Sequence, residues 1–223
     1  LGHRLRSTLQ LGEDAMLAEE FSCPVVGDFR VRDMAAGGLG APLVPYTEFL
    51  LYRSETECVA LQNIGGIGNI SFLPAGCGLD DVLAFDTGPG NMVMDAVTAR
   101  LTDGAAAYDA GGALAAQGQV SEKLLRHMLN DPYLAQRPPK TTGRERYGAD
   151  YTAAICAYAG AEGIGLLDVL ATATRFTAEC IAAAVRDYAP EPPARLIVGG
   201  GGALNATLIG HIRQLLPACR VMT

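Results

Sequence analysis

Three glycine-rich segments hold the residues best suited to chemistry. Asp86-Thr87-Gly88-Pro89-Gly90-Asn91 follows the apolar run Val82–Phe85 and leads into a periodic one. A carboxylate where a strand ends can serve as general base toward a hydroxyl or a water. The helix that follows would offer free amides to an anion. Capping of that helix by Asp86 is the competing reading. Asn63-Ile64-Gly65-Gly66-Ile67-Gly68-Asn69 reads as a hairpin with three glycines in four positions. Without Cβ atoms its amides can converge on a phosphate, though an ordinary tight turn has the same sequence. It is not a dinucleotide fingerprint, because no helix follows at once. Gly199-Gly200-Gly201-Gly202-Ala203-Leu204-Asn205 joins a strand to a helix. Bare backbone there could receive adenine or ribose, and a flexible loop is the alternative. The charge runs Asp28-Phe29-Arg30-Val31-Arg32-Asp33 and Arg144-Glu145-Arg146 read first as solvated ion-pair patches.

The elements around these segments follow from periodicity. Alternating apolar residues predict strands over Cys58–Ile64 and Ile67–Leu73, with Ile70 and Phe72 on one face. A third strand, Val82–Phe85, ends in Asp86. Val93, Val97 and Leu101 recur every four residues and predict a helix from Gly90 to Leu101. Residues 102–150 read as irregular, with a helix over Val120–Leu129. Asp168 is expected to cap a long helix reaching Tyr188, striped by Val169, Ala173, Phe176, Cys180, Ala184 and Tyr188. Arg195–Val198 reads as a strand, Ala206–Leu216 as a helix and Arg220–Met222 as a strand. Upstream, a helix is expected over 13–20 and a short strand over Cys23–Gly27. Asp28–Asp33 reads as a strand end or loop, 35–42 as a loop, and Pro45–Tyr52 as a helix with Phe49 and Leu50 inward. The expected class is α/β: a mixed sheet with helices on its faces, opening with a hairpin rather than a strand–helix unit.

Composition narrows the function. The 223 residues are 49% hydrophobic and 18% charged, with no Trp, so aliphatic side chains and Ala must fill the core. A net charge of −7 argues against a surface that tracks nucleic-acid phosphates, so no nucleic-acid partner is expected. It does not bear on ATP, which local dipoles hold. The six Cys form no C-x-x-C pair, and only three His could join them, so no metal ligands are assigned. They read as reduced core thiols, and a cytoplasmic setting is expected. No apolar run reaches membrane-spanning length, so no membrane partner is expected.

Taken in order, the segments resemble the anhydro-N-acetylmuramic acid kinase family, within the actin-like (ribonuclease H-like) sugar kinases and heat-shock-70-type ATPases. The likeness runs through Thr8–Gly12, Gly27–Asp33, Ala36–Pro45, Asn63–Asn69, Phe85–Met92, Asp131-Pro132-Tyr133, Thr142–Glu145 and Gly199–Gly201. It implies an ATP- and Mg²⁺-dependent enzyme that opens the 1,6-anhydro ring with water and phosphorylates the freed oxygen. The product would be N-acetylmuramic acid 6-phosphate, in cell-wall recycling. Asp86 would be the base. Arg32, Asp33, Thr87, Gly88 and Asn91 would bind the sugar. Asn63, Gly65, Gly66, Gly199, Gly200, Gly201 and Asn205 would bind ATP. A homodimer is left open, as are two other readings: a chaperone-like ATPase of the same fold, and an inactive fragment.

The same likeness implies a division at 55/56. Residues 1–55 would be the tail of a first lobe, and 56–223 a second lobe with an insertion at 102–150. The family's first phosphate loop, a Gly-Thr-Ser-x-Asp-Gly hairpin, has no counterpart in the sequence, nor do its last strand and helix. Both ends read as cut, and such a chain is expected to bind ATP weakly and to turn over poorly.

Overall fold

A computed structural model describes residues 8–38 and 40–223. Leu39, within one of the segments above, and the first seven residues lie outside them. The chain divides into two compact units, Leu1–Thr47 and Glu48–Thr223.

The first unit holds helices α1 (Asp14–Phe21) and α2 (Phe29–Ala35). Cys23–Gly27 forms no strand. Pro24 has no N–H to give a ladder, and the described residues of this unit supply no second strand to pair with. The charged run is helical rather than extended: Arg32 N donates to Asp28 O at 2.8 Å, a bond that needs no partner strand. Two of its charges, Arg30 and Asp33, bond to backbone. Arg30 Nε donates to Gly40 O at 2.8 Å, and Gly40 N donates to Asp33 Oδ2 at 2.7 Å. Helix α3 (Val44–Tyr52) crosses the boundary between the units. Phe49 turns inward as expected, but Leu50 remains 59% exposed.

The second unit is built on a five-stranded sheet of order β3-β2-β1-β4-β5. The strands are β1 (Val59–Ile64), β2 (Ile67–Leu73), β3 (Leu83–Pro89), β4 (Arg195–Gly199) and β5 (Arg220–Met222). Gly65-Gly66 turns β1 into antiparallel β2, which pairs antiparallel with β3. On the other side β1, β4 and β5 run parallel. Strand alternation splits β1 between two cores. Ala60 and Ile64 join Ile70, Phe72 and Phe85 under the helices, while Val59 and Leu61 join Leu73 and Cys77 on the opposite face. The expected mixed α/β architecture is what forms.

Helices α4 (Met92–Leu101), α5 (Glu122–Leu129), α6 (Arg144–Tyr147), α7 (Ala149–Ala161), α8 (Leu166–Tyr188) and α9 (Ala206–Leu215) complete the unit. In α8, fourteen of 23 residues are buried, so it packs on several sides rather than along one stripe. Gly165 occupies its N-cap position, not Asp168. The Asp168 carboxylate instead accepts from Gln119 N at 2.7 Å, tying a loop to the helix. No element was expected over 151–165, yet α7 forms there. Six of its thirteen residues are alanine, so helix propensity drives it where periodicity is silent. The cysteines are free, and Cys23 is exposed rather than core.

Phe176 is fully buried at the centre of α8, in the main cluster. Phe176→Ala should cost about 3–5 kcal/mol of unfolding free energy, read from a urea midpoint shift at constant slope.

Candidate active site

The three glycine segments converge because β1 and β4 are parallel neighbours, with Asn63 paired to Gly199. The hairpin turn then meets the start of α4. Asn91 N donates to Gly65 O at 2.7 Å, and Gly90 N and Met92 N donate to Gly66 O at 2.9 and 3.2 Å. These amides are therefore spent inside the fold, not presented to an anion as the sequence reading expected. The approach demands glycine at position 90, where a Cβ would stand 2.2 Å from Gly65 O. Gly200 is held as tightly from the other side. Its φ is +80°, and a Cβ there would lie 2.6 Å from both Ile64 O and Asn63 Oδ1. Asn91 Nδ2 completes the junction by donating to Ile64 O at 3.3 Å.

Beside this junction opens a cleft of about 410 Å³. Asn91 and Asp95 of α4 form one wall, Tyr108 and Asp109 a second, and Gly201 and Asn205 a third. Asn205 doubles as the N-cap of α9, its Oδ1 accepting from Leu208 N at 2.9 Å. The Asp109 carboxylate is occupied by the Leu114 and Ala115 amides. Asp95 has no such donors, and burial pushes its pKa up to about 6. Gly65, Gly66, Gly200 and Gly201 all keep their amides out of the backbone ladder. Among the described residues, no backbone carbonyl accepts from them.

Asp86 lies inside β3, not at its end, and it does not cap α4, whose N-cap position is Asn91. The register of β2 and β3 shifts here: Asn69 pairs with Asp86 and Gly68 with Gly88, leaving Thr87 as the extra residue of a bulge. Asp86 is half-buried between buried neighbours Phe85 and Thr87. Its carboxylate accepts from Thr142 N at 2.9 Å. Burial raises its pKa; the Thr142 amide and Thr141 hydroxyl work against that rise, and the Glu145 carboxylate nearby adds to it. A carboxylate so placed is a stronger base than a solvated one.

The other expected residues divide. Thr87 Oγ1 accepts from Gln62 Nε2 at 3.4 Å, and Gly88 is packed so that a Cβ would lie 3.3 Å from Cys180 Sγ. Both are buried, with their side-chain directions committed to packing. Arg32 and Asp33 belong to the first unit. Arg32 is exposed, and Asp33 holds Gly40 as described. The run at 144–146 is not a self-contained ion-pair patch, for Arg146 pairs with Asp131 at 3.3 Å.

The structure adds residues that sequence reasoning left without a role. Tyr133 donates its hydroxyl to Asp86 O at 2.7 Å, and Lys140 O accepts from Asp86 N at 3.2 Å. The stretch around 133–142 thus covers the outer edge of β3 at Asp86. Its Pro-rich composition signals only a loop, and no periodicity could have found these contacts.

Residues 2–223 match the family described as anhydro-N-acetylmuramic acid kinase. A protein of that name from Caldanaerobacter subterraneus subsp. tengcongensis is 48% identical over 228 residues, covering all of this chain and 57% of that protein. The one from Clostridioides difficile is 47% identical over 219 residues, covering 97% of this chain and 56% of its own. The chain therefore spans a little over half the length of the curated relatives it matches. With the match running almost end to end, the chain belongs to the anhydro-N-acetylmuramic acid kinase family.

Proposed function

We propose that this chain carries the base and the nucleotide-facing loops of an ATP-dependent kinase on an actin-like fold. It would hydrolyse the 1,6-anhydro ring of anhydro-N-acetylmuramic acid and phosphorylate the sugar to N-acetylmuramic acid 6-phosphate. Family membership supports the substrate class. The observation that carries the mechanism is Asp86: a half-buried carboxylate on a bulged strand, raised in pKa and steered by the Thr142 amide.

In this reading Asp86 takes a proton from water as its oxygen bonds to the anomeric carbon. The bond from that carbon to the bridging oxygen breaks, and the bridging oxygen bonds to the γ-phosphorus as ADP departs. Within the second unit Thr87 and Gly88 serve the sugar side by shaping the bulge, and Asn91 stands between it and the cleft. The Gly65-Gly66 and Gly200-Gly201 amides face phosphate and ribose, with Gly199 lending bare backbone, and the cleft beside Asn205 and Tyr108 takes the base. Its size suits a nucleoside. Phosphoryl transfer asks for positioning and charge stabilisation rather than a covalent nucleophile, which these groups supply. Among the described residues no cluster of three or more His, Cys, Asp or Glu side chains could hold a metal. Mg²⁺ carried on the nucleotide phosphates would neutralise their charge.

Asp86→Asn should lower formation of the 6-phosphate by about 10²–10⁴-fold, measured by mass spectrometry of the sugar product. Near wild-type turnover would remove Asp86 as the base. The base works only when ionised, and its pKa is raised. Activity should therefore fall as pH drops through a midpoint above the ordinary aspartate value of about 4.

Gly200→Ala should cost more than the about 1–2 kcal/mol that its positive φ alone implies, because the added Cβ also meets Ile64 O and Asn63 Oδ1 at 2.6 Å, and it should weaken ATP binding by calorimetry. Gly163→Ala is the control: its φ is +70° and a Cβ meets nothing within 4 Å. It should lose only the φ cost of about 1–2 kcal/mol and keep its ATP affinity.

A further inference from the structure

Lys140 is a buried cation that forms no ion pair among the described residues. The residue is 9% exposed. It donates instead to Leu134 O at 3.2 Å and, more weakly, to Tyr133 O at 3.5 Å. Three rings surround it, with centroids at 4.8 Å for Tyr133, 5.3 Å for Tyr188 and 5.7 Å for Phe85. Burying an unpaired charge opposes folding, and a methionine would fill the same space without that cost. A methionine would lack only the bonds to the two carbonyls and the attraction to the rings.

Those bonds join the two ends of one stretch. Lys140 reaches back to residues 133 and 134, while its own backbone carbonyl accepts from Asp86 N. Tyr133, at the other end, donates to Asp86 O. Two residues beyond Lys140, Thr142 N donates to the Asp86 carboxylate at 2.9 Å. The two backbone groups of Asp86 and its side chain are therefore held by the segment that Lys140 closes on itself. A second tie lies outside it, where Asp131 accepts from Tyr133 N at 2.9 Å and pairs with Arg146.

We propose that Lys140 is a positioning residue, which fastens residues 133–142 around the edge of β3 and so holds the Asp86 carboxylate against the Thr142 amide. Its effect on turnover rests on the reading of Asp86 as the base; the positioning itself does not. The ionisable groups around the device are few. Asp86 faces Tyr133 and Glu145, with the Thr141 hydroxyl beside them. Lys140 faces Cys180 and Asp187 of α8 together with Tyr133 and Tyr188. Burial pushes the Tyr133 hydroxyl and the Cys180 thiol upward, so both stay neutral around pH 7. Burial also lowers the Lys140 ammonium, against the pull of the Asp187 carboxylate.

The test needs no substrate. Asp86 carboxyl titration and Thr142 amide exchange are followed by NMR in wild type and in Lys140→Met. Thr142 exchange should quicken by at least about 10-fold beyond any change in global stability. The Asp86 midpoint should shift from its wild-type value, because the same segment supplies both the burial that raises it and the Thr142 amide that lowers it. A folded Lys140→Met protein that keeps both wild-type values overturns the proposal, even if it is less stable. Should that variant not fold, Tyr133→Phe removes the hydroxyl bond to Asp86 O and should move both readouts in the same directions. Unchanged values there overturn it as well. If both readouts move yet Asp86→Asn keeps full turnover, the base assignment fails and the positioning role stands.

Discussion

The close approach of Gly90 to the Gly65-Gly66 turn fixes the geometry around Asp86. Two hairpin carbonyls take the first amides of α4, and no side chain can enter the space between. Strand β3 must then end against the hairpin that begins two strands away. Its register with β2 is pinned at Gly68 and Gly88, and the extra residue is absorbed at Thr87. The bulge is what separates Asp86 from the regular ladder. A one-residue slip would reverse the faces of Phe85 and Asp86, placing an aromatic ring at the site and a carboxylate in the core.

A second constraint acts from the sheet's other half. Parallel pairing of β1 with β4 places the Gly199–Gly202 loop beside the same hairpin, and Gly200 has room only because it lacks a side chain. The sheet thus gathers three bare backbone segments at one end. α8 supports the arrangement from below, packing against both α4 and β3. Thr177 Oγ1 donates to Gly90 O at 3.1 Å, so the central helix grips the junction directly. Packing and polar contacts therefore converge on one point rather than forming separate layers of the fold.

Much of this was legible in the residues. The strands, the hairpin and α4, α8 and α9 follow from alternation and four-residue spacing, although α8 and β1 bury more than one face. Asp86 and the three glycine segments announced themselves by type and position. What stayed hidden depended on partners distant in sequence. The amides of α4 looked free because nothing local shows that Gly65 and Gly66 consume them. Lys140 drew no reading from the sequence, because its cage comes from residues 85, 133 and 188. Cys23–Gly27 looked like a strand because apolar alternation says nothing about whether a partner strand exists. Asp168 had the right type for a cap but lies one turn too far in, where Gln119 claims it.

The central claim is that Asp86 delivers water to carbon and not to phosphorus. Turnover in ¹⁸O-labelled water, quenched early and read by fragment mass of the sugar phosphate, separates the two. The account predicts one labelled oxygen on the anomeric carbon and none in the phosphate. Label in the phosphate, or free labelled phosphate without sugar product, would contradict it.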